Sequence, residues 1–192
     1  CGFFIFMVYL SFSINSMAQT CLFYVVVPLL MLYNIFFKKI ALLGNVSVAI
    51  LISLVFLFTE IALVSSFDLF LIPACLVFGL TLIRELIKDY IDYEGDRLFA
   101  YYTLPVLLGK RFSLYFIIFS ILLLGLFFLL PYFLNFYQLD YLISLILLIE
   151  IPLLFMVFLI LKNPEDKTLR LLSKITKFIS IGGLLIIFIS IE

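Results

Sequence analysis

Seven long apolar segments constrain the fold of this 192-residue chain more than any other feature of the sequence. Hydrophobic residues make up 67% of the chain and charged residues only 12%, about half the share of an average soluble domain. A soluble fold of this size cannot bury so much apolar surface, so the sequence predicts an integral membrane protein. The segments lie at 1–14, 20–37, 41–60, 67–88, 112–134, 138–161 and 170–191.

Most of these segments approach the about 20 residues that a helix needs to cross a bilayer. Their apolar residues run continuously instead of alternating with polar ones, which favours helices. We therefore expect an all-α, multi-pass transmembrane helix bundle of about seven helices. Residues 1–192 are predicted to form a single domain, because no linker or internal repeat interrupts the pattern.

The basic residues divide the breaks between these segments into two kinds. All twelve Lys and Arg residues fall in alternate breaks, near 38–39, 84–111 and 162–177. Positive charge marks the cytoplasmic side of a membrane protein, so these breaks are predicted to be cytoplasmic and the carboxyl terminus to lie outside. The net charge is zero, which gives no reason to expect a nucleic-acid partner.

One charged stretch, residues 84–97, is unlike the rest of the chain. It holds eight of the 24 charged residues and five of the twelve acids. If the helix continues through it, the spacing places Glu85, Asp89, Asp92 and Asp96 on one face. Like charges at such spacing repel, so a compensating cation is expected, and carboxylates favour a hard divalent ion such as Mg²⁺.

A solvated helix end is the alternative interpretation of the same stretch. Lys88 would then pair with Asp92, and Gly95 would mark the end of the helix. The charge run alone does not decide between these two interpretations.

Three motifs in this region resemble the UbiA family of intramembrane prenyltransferases. K-D-x-x-D-x-E-G-D-R occupies 88–97 and is followed by T-L-P-V-x-L-G at 103–109. Upstream, Y-x-x-x-x-K-K at 33–39 precedes L-L-G-N at 42–45. Within the family, the form R-E-x-I-K-D at 84–89 is most similar to the digeranylgeranylglyceryl phosphate synthase subgroup. This resemblance covers most of the chain.

The resemblance implies an enzyme that transfers a prenyl group from a prenyl diphosphate to a lipid or aromatic acceptor inside the membrane, for lipid or quinone biosynthesis. It implies Mg²⁺ as cofactor, a diphosphate held by basic residues, and a hydrophobic tunnel for the prenyl chain. The catalytic and metal-binding residues would be Asp89, Asp92 and Asp96. The substrate-binding residues would be Lys38, Lys88, Arg97, Tyr33 and Asn45.

The family carries an earlier N-D-x-x-D motif that does not occur in these 192 residues. We therefore expect a family fold that lacks its first two helices, and a chain that is inactive on its own. The alternative function is a membrane cation-binding or transport protein that uses the acidic cluster at 85–96. Glu150 lies in the middle of an apolar segment. A buried acid in a membrane is a candidate functional group, and the alternative is a neutral acid bonded to a neighbouring helix; we leave Glu150 outside the predicted site.

Overall fold

Six long helices make up most of the described chain, residues 15–66 and 70–190 of a computed structural model. Two short helices lie between the third and fourth long ones. In chain order the helices are α1 Ser16–Ile35, α2 Leu43–Val64, α3 Leu71–Ile91, α4 Tyr93–Leu98, α5 Leu104–Leu108, α6 Lys110–Phe133, α7 Leu139–Lys162 and α8 Asp166–Ser190.

These helices confirm the predicted all-α membrane bundle. Four of them, α1, α2, α6 and α7, are long and apolar enough to cross a bilayer. Helices α3 and α8 are 21 and 25 residues long, but each carries charged residues at the end that meets a basic break. The predicted segment 1–14 falls outside the described residues. Helix α8 begins at Asp166, four residues before the predicted start, because its charged first turn is also helical.

Helices α1 and α7 each contain one widened turn of π-helix, at Leu22–Val26 and Ile146–Glu150. Each wide turn ends two residues before a proline, Pro28 or Pro152. Proline has no backbone N–H and its ring collides with the carbonyl four residues earlier, so a local change of hydrogen-bond register relieves both problems. Both helices therefore continue through their prolines.

Helix α3 is the central element of the bundle. One side packs against α6 and α8, and the side towards the amino-terminal half packs against α2, which also contacts α1. Leu80, Ile83 and Ile87 of α3 are almost completely buried in the core shared with α6, α7 and α8. Across this core, Tyr141 Oη donates a hydrogen bond to the Phe128 carbonyl oxygen at 2.9 Å, joining α7 to α6.

Two of the basic breaks, near 38–39 and 84–111, meet at one end of the bundle. Tyr102 N–H donates to the Lys39 carbonyl oxygen at 3.3 Å, which joins the loop after α1 to the loop after α4. Lys110 Nζ, at the start of α6, lies 5.5 Å and 4.8 Å from the ring centroids of Tyr90 and Tyr93. The charged cluster at 84–97 therefore lies beside both loops.

Candidate active site

The acidic run turns a corner at Asp92. Helix α3 ends at Ile91, Asp92 has φ −86° and ψ 8°, and α4 begins at Tyr93. The Asp92 N–H still donates to the Lys88 carbonyl at 2.9 Å, and the Asp96 N–H donates to the Asp92 carbonyl at 2.9 Å. Helical spacing is thus preserved across the break. The acids predicted to share one face, Glu85, Asp89, Asp92 and Asp96, still do so and form an acidic stripe, although the sequence did not predict the change of direction.

The alternative interpretation predicted that the helix ends at Gly95, and this prediction was wrong. Gly95 lies inside α4, which continues to Leu98, and the chain turns afterwards at Ala100 with φ 55°. An added Cβ at Gly95 would have no atom within 4 Å, so this glycine leaves open space on the outer side of α4.

The stripe faces a polar cavity of about 190 Å³ between α2, α3 and the two loops. Seven of the predicted site residues line it: Tyr33, Lys38, Asn45, Lys88, Asp89, Asp92 and Asp96. Residues that the sequence analysis did not assign to the site also line it, among them Lys39, Gly44, Glu85, Tyr101 and Thr103. The cavity therefore brings together side chains from both motif regions.

Arg97 does not line this cavity. It follows Asp96 directly in α4, and neighbouring helical residues point about 100° apart. Because Asp96 faces the cavity, Arg97 is exposed on another side of α4. The predicted contact between Arg97 and a diphosphate has no support in this arrangement.

Asn45 fixes the carboxylate of Asp89. Its Nδ2 donates to Asp89 Oδ2 at 2.8 Å, and the Asn45 side chain is itself buried. Asn45 lies in the first turn of α2 and Asp89 in the last turn of α3, so the bond ties the cavity ends of two antiparallel helices together. One carboxylate oxygen of Asp89 is thereby held by protein, which leaves the other to face the cavity.

Gly44, the residue before Asn45, lies in close contact with the loop that follows α1. A Cβ placed on Gly44 would lie 3.0 Å from the Phe37 carbonyl oxygen, closer than ordinary contacts allow. The missing side chain lets the loop that carries Lys38 pass directly over the start of α2. The L-L-G-N motif therefore supplies a close backbone approach followed by a donor for Asp89.

Four acids and three lysines line the cavity, so the acidic side chains are in slight excess. Burial raises the pKa of Asp89, which lies just beyond the apolar segment 67–88, to about 6. The hydrogen bond from Asn45 and the charge of Lys88 oppose this rise, while Asp96 and Glu85 add to it. Burial also raises the pKa of Asp96, the charge of Asp92 adds to the rise, and Thr103 and Lys88 oppose it. Such a site favours a bound cation.

Glu85 is the acid that the basic residues of α3 neutralise. Arg84 Nη1 lies 2.6 Å from Glu85 Oε1, and Lys88 Nζ lies 3.6 Å from Glu85 Oε2. The expected pair between Lys88 and Asp92 is replaced by this one, because Asp92 lies past the end of α3 while Glu85 is one turn back on the same helix. Among the described residues, Asp89, Asp92 and Asp96 consequently form no such ion pair and remain available to a bound cation.

The T-L-P-V-x-L-G motif forms α5 and presents Thr103 to the cavity. Thr103 is the N-cap residue of α5, Pro105 occupies its first turn, and Gly109 ends it with φ 87°. Leu104 and Pro105 are buried and anchor the helix to the core. Thr103 Oγ1 is buried near Asp96 and lowers the pKa of that acid, but it has no hydrogen bond of normal geometry among the described residues.

The residues present fit a divalent cation held only in part by protein. Within residues 15–66 and 70–190, no three acidic side chains converge into a ready-made coordination sphere. Mg²⁺ commonly takes one or two carboxylates and completes its octahedron with water and phosphate oxygens. Asp89, Asp92 and Asp96 offer carboxylate oxygens along one wall, and Lys38 and Lys88 border the same space.

An apolar groove follows the same face of α3 towards the bilayer interior. Phe78 and Leu82 of the groove share a face with Glu85 and Asp89 of the cavity, at spacings of four, three and four residues. The groove has a volume of about 600 Å³ and lies between α3 and α6. A polar chamber and a hydrophobic channel thus lie next to each other along one helix.

These features define a membrane-embedded helical protein with an acidic cavity at one end of the bundle. The sequence profile of the UbiA prenyltransferase family matches residues 1–181, and the chain belongs to that family. It is an integral membrane protein.

Relatives named digeranylgeranylglyceryl phosphate synthase are similar to this chain. The protein from Methanocaldococcus jannaschii is 36% identical over 155 residues, which cover 79% of this chain and 52% of the relative. The protein from Sulfolobus acidocaldarius is 36% identical over 151 residues, covering 78% and 52%. The chain spans about half the length of the curated relatives it matches.

One solved structure shares the fold. It is described as "Structural and mechanistic insights into the biosynthesis of Digeranylgeranylglyceryl phosphate synthase in membranes". Its TM-score is 0.74 at 31% sequence identity, and the match covers 95% of this chain and 64% of that chain. These findings do not support the alternative of a membrane cation-binding or transport protein.

Proposed function

We propose that the complete protein transfers a prenyl group from a prenyl diphosphate to the glyceryl hydroxyl of a glycerol phosphate lipid. The observation that carries the proposal is the position of two spaces along one face of α3, an acidic cavity of about 190 Å³ and an apolar groove of about 600 Å³. A prenyl diphosphate has the same division into a charged head and a long hydrophobic tail. The names of the relatives support the choice of acceptor.

The cavity residues suit the diphosphate head. Lys38 and Lys88 border the cavity and offer ammonium donors to phosphate oxygens. Asp89, Asp92 and Asp96 would hold Mg²⁺ between the protein and the diphosphate, with Asn45 keeping Asp89 in position. When bound there, Mg²⁺ supplies charge neutralisation for the leaving diphosphate.

The groove residues suit the prenyl tail. Phe78, Leu82 and Phe127 provide an apolar wall, and the Leu124 side chain of α6 packs directly against Gly79 of α3 in the same groove. A tail lying in this groove leaves its first carbon at the border with the cavity, close to Glu85 and Asp89. This placement aligns the bond that must break with the charges that receive the leaving group.

The reaction exchanges one carbon–oxygen bond for another. The bond between the first prenyl carbon and the diphosphate oxygen breaks, and its electron pair leaves with the diphosphate. The acceptor hydroxyl oxygen forms the new bond to that carbon and loses its proton to solvent or to a cavity carboxylate. The ammonium groups of Lys38 and Lys88 stabilise the negative charge that develops on the diphosphate.

A transfer assay tests this proposal. The complete protein in lipid nanodiscs is given labelled geranylgeranyl diphosphate and Mg²⁺ with one of two acceptors, a geranylgeranylglyceryl phosphate or 4-hydroxybenzoate. We expect labelled product with the glycerol phosphate lipid, loss of product when EDTA removes the metal, and recovery when Mg²⁺ is restored. Transfer only to 4-hydroxybenzoate would replace the acceptor, and no transfer to either would contradict the proposal.

A further inference from the structure

Helix α8 opens with four basic residues on one face, which we call the cationic column: Lys167, Arg170, Lys174 and Lys177. Their spacings of three, four and three residues keep them in line along the helix. All four residues are exposed, and within the described part of the chain none of them forms an ion pair. The opposite face of α8 is buried through Leu169, Leu172, Thr176 and Ile179.

The cationic column extends below the level of the loops. The charge of Asp166 acts on Tyr90, so α8 begins beside the last turn of α3. Further along, an added Cβ at Gly183 would collide with the Leu76 side chain, which shows that the two helices run antiparallel. At about 1.5 Å per residue, Lys174 and Lys177 lie about 12 and 16 Å beyond Asp166.

The neighbouring helix is apolar at this depth. Gly182 of α8 lies beside Leu148 of α7, because a Cβ on the glycine would be 3.3 Å from the Leu148 Cβ. Residues 151–161 of α7 therefore lie at the same depth as the cationic column, and every one of them is apolar. Orientation in the membrane requires only that basic residues be numerous on one side, and loop residues would satisfy it.

Charge at this depth needs an anionic partner, since an unpaired cation is costly close to hydrocarbon. Lys167, Arg170 and Lys174 share an open surface of α8 with Thr168 and Leu171. Exposed apolar residues, Phe178 and Ile181, follow on the side of α8 that faces away from the bundle. A phosphate group would match the basic residues, and a hydrocarbon chain would match the apolar residues that follow them along α8.

We propose that the cationic column binds the phosphate headgroup of an anionic membrane lipid, with the lipid chain lying against Phe178 and Ile181. Long Lys and Arg side chains reach up along the helix towards the headgroup level, which brings several cations onto one phosphate. A free phosphate ion would gain nothing from the apolar half of this surface, so the lipid is the better fit. This binding site is separate from the acidic cavity and does not depend on the proposed reaction.

Lipid selectivity tests the proposal. The complete protein is reconstituted in phosphatidylcholine nanodiscs that contain a minor share of phosphatidylglycerol, then extracted, and its bound lipids are quantified by mass spectrometry. The test variant is Lys174→Gln with Lys177→Gln. The control is Arg111→Gln with Lys162→Gln, which removes the same charge at the same end of the bundle but outside the cationic column.

We expect the wild type to retain phosphatidylglycerol over phosphatidylcholine, and the test variant to lose about five-fold of that preference per charge removed. The control pair should keep the preference, and Lys174→Arg with Lys177→Arg should also keep it in folded protein. Equal losses in test and control variants would overturn the proposal, as would a wild type without preference. Displacement of the lipid by millimolar inorganic phosphate would assign the surface to a free anion instead.

Discussion

Asn45 Nδ2 donates a hydrogen bond to Asp89 Oδ2 at 2.8 Å, joining residues 44 positions apart in the chain. The bond lies between the first turn of α2 and the last turn of α3. Through it, the upstream L-L-G-N motif acts on the downstream acidic motif. The two motifs are therefore parts of one site, and each can be tested through the other.

Asn45→Ala removes the donor and leaves the buried Asp89 carboxylate without this partner. We expect kcat/KM for prenyl transfer to fall about ten- to hundred-fold, because a hydrogen bond to a charged group contributes about 1.5–3 kcal/mol. Ser47→Ala is the matched control, since Ser47 is buried on the same helix and its Oγ donates to the Leu43 carbonyl within that helix. Equal losses in both variants would argue against a specific role for Asn45.

Gly44→Ala and Gly95→Ala form a second matched pair. A Cβ at Gly44 would press against the Phe37 carbonyl oxygen at 3.0 Å and displace the loop that carries Lys38, whereas Gly95 has open space. We expect Gly44→Ala to raise the KM for prenyl diphosphate about ten-fold or more, since overpacking costs about 1–3 kcal/mol. Gly95→Ala should leave KM unchanged and slightly raise the thermal midpoint. The reverse order of effects would show that the loop does not depend on Gly44.

The sequence predicted which residues line the cavity better than it predicted how the backbone around the cavity is arranged. Asp89, Asp92 and Asp96 were expected to share a face from helical spacing alone, and all three line the cavity. The break at Asp92 could not be predicted, because its hydrogen bonds are still those of a helix. Thr103 belongs to a recognised motif, but its place in the wall depends on how Leu104 and Pro105 pack, which spacing does not reveal.

Helix positions were predictable where the apolar segments are long. They were not predictable where a helix extends into charged residues. Helix α8 begins at Asp166 because its basic residues occupy an exposed face while Leu169 and Leu172 are buried. Hydropathy alone therefore placed its start too late. The wide turns before Pro28 and Pro152 are absent from the sequence prediction, because proline indicates a local disturbance without indicating its form.

Gly125 and Glu150 are predicted to be energetically coupled. A Cβ on Gly125 would lie 2.8 Å from Glu150 Oε2. Glu150 Oε1 is buried with no hydrogen-bond partner among the described residues, so the bond to a neighbouring helix considered from the sequence is not formed at this oxygen. Gly125→Ala should therefore lower the thermal midpoint in detergent, and the same change in a Glu150→Ala background should cost less. A coupling free energy of about 1 kcal/mol is expected from the double-mutant cycle. Strictly additive effects would contradict the contact.

The cytoplasmic position of the basic breaks remains a prediction that cysteine labelling checks. Lys39→Cys and Gln138→Cys are placed separately in protein whose own cysteines are replaced by alanine. With a membrane-impermeant maleimide on sealed, right-side-out vesicles, we expect labelling at position 138 and protection at position 39. Permeabilisation should expose position 39. Equal labelling of both positions in sealed vesicles would contradict the predicted topology.

The central claim is that the acids facing the cavity, and not the charged run as a whole, carry the metal-dependent transfer. Asp92→Asn and Glu94→Gln test it directly, because the two residues are two positions apart and only Asp92 lines the cavity. The measurement is the initial rate of prenyl transfer by the complete protein in nanodiscs across a range of Mg²⁺ concentrations. The account predicts a loss of at least about 100-fold for Asp92→Asn and a near wild-type rate for Glu94→Gln. Near wild-type transfer by folded Asp92→Asn protein would contradict the account.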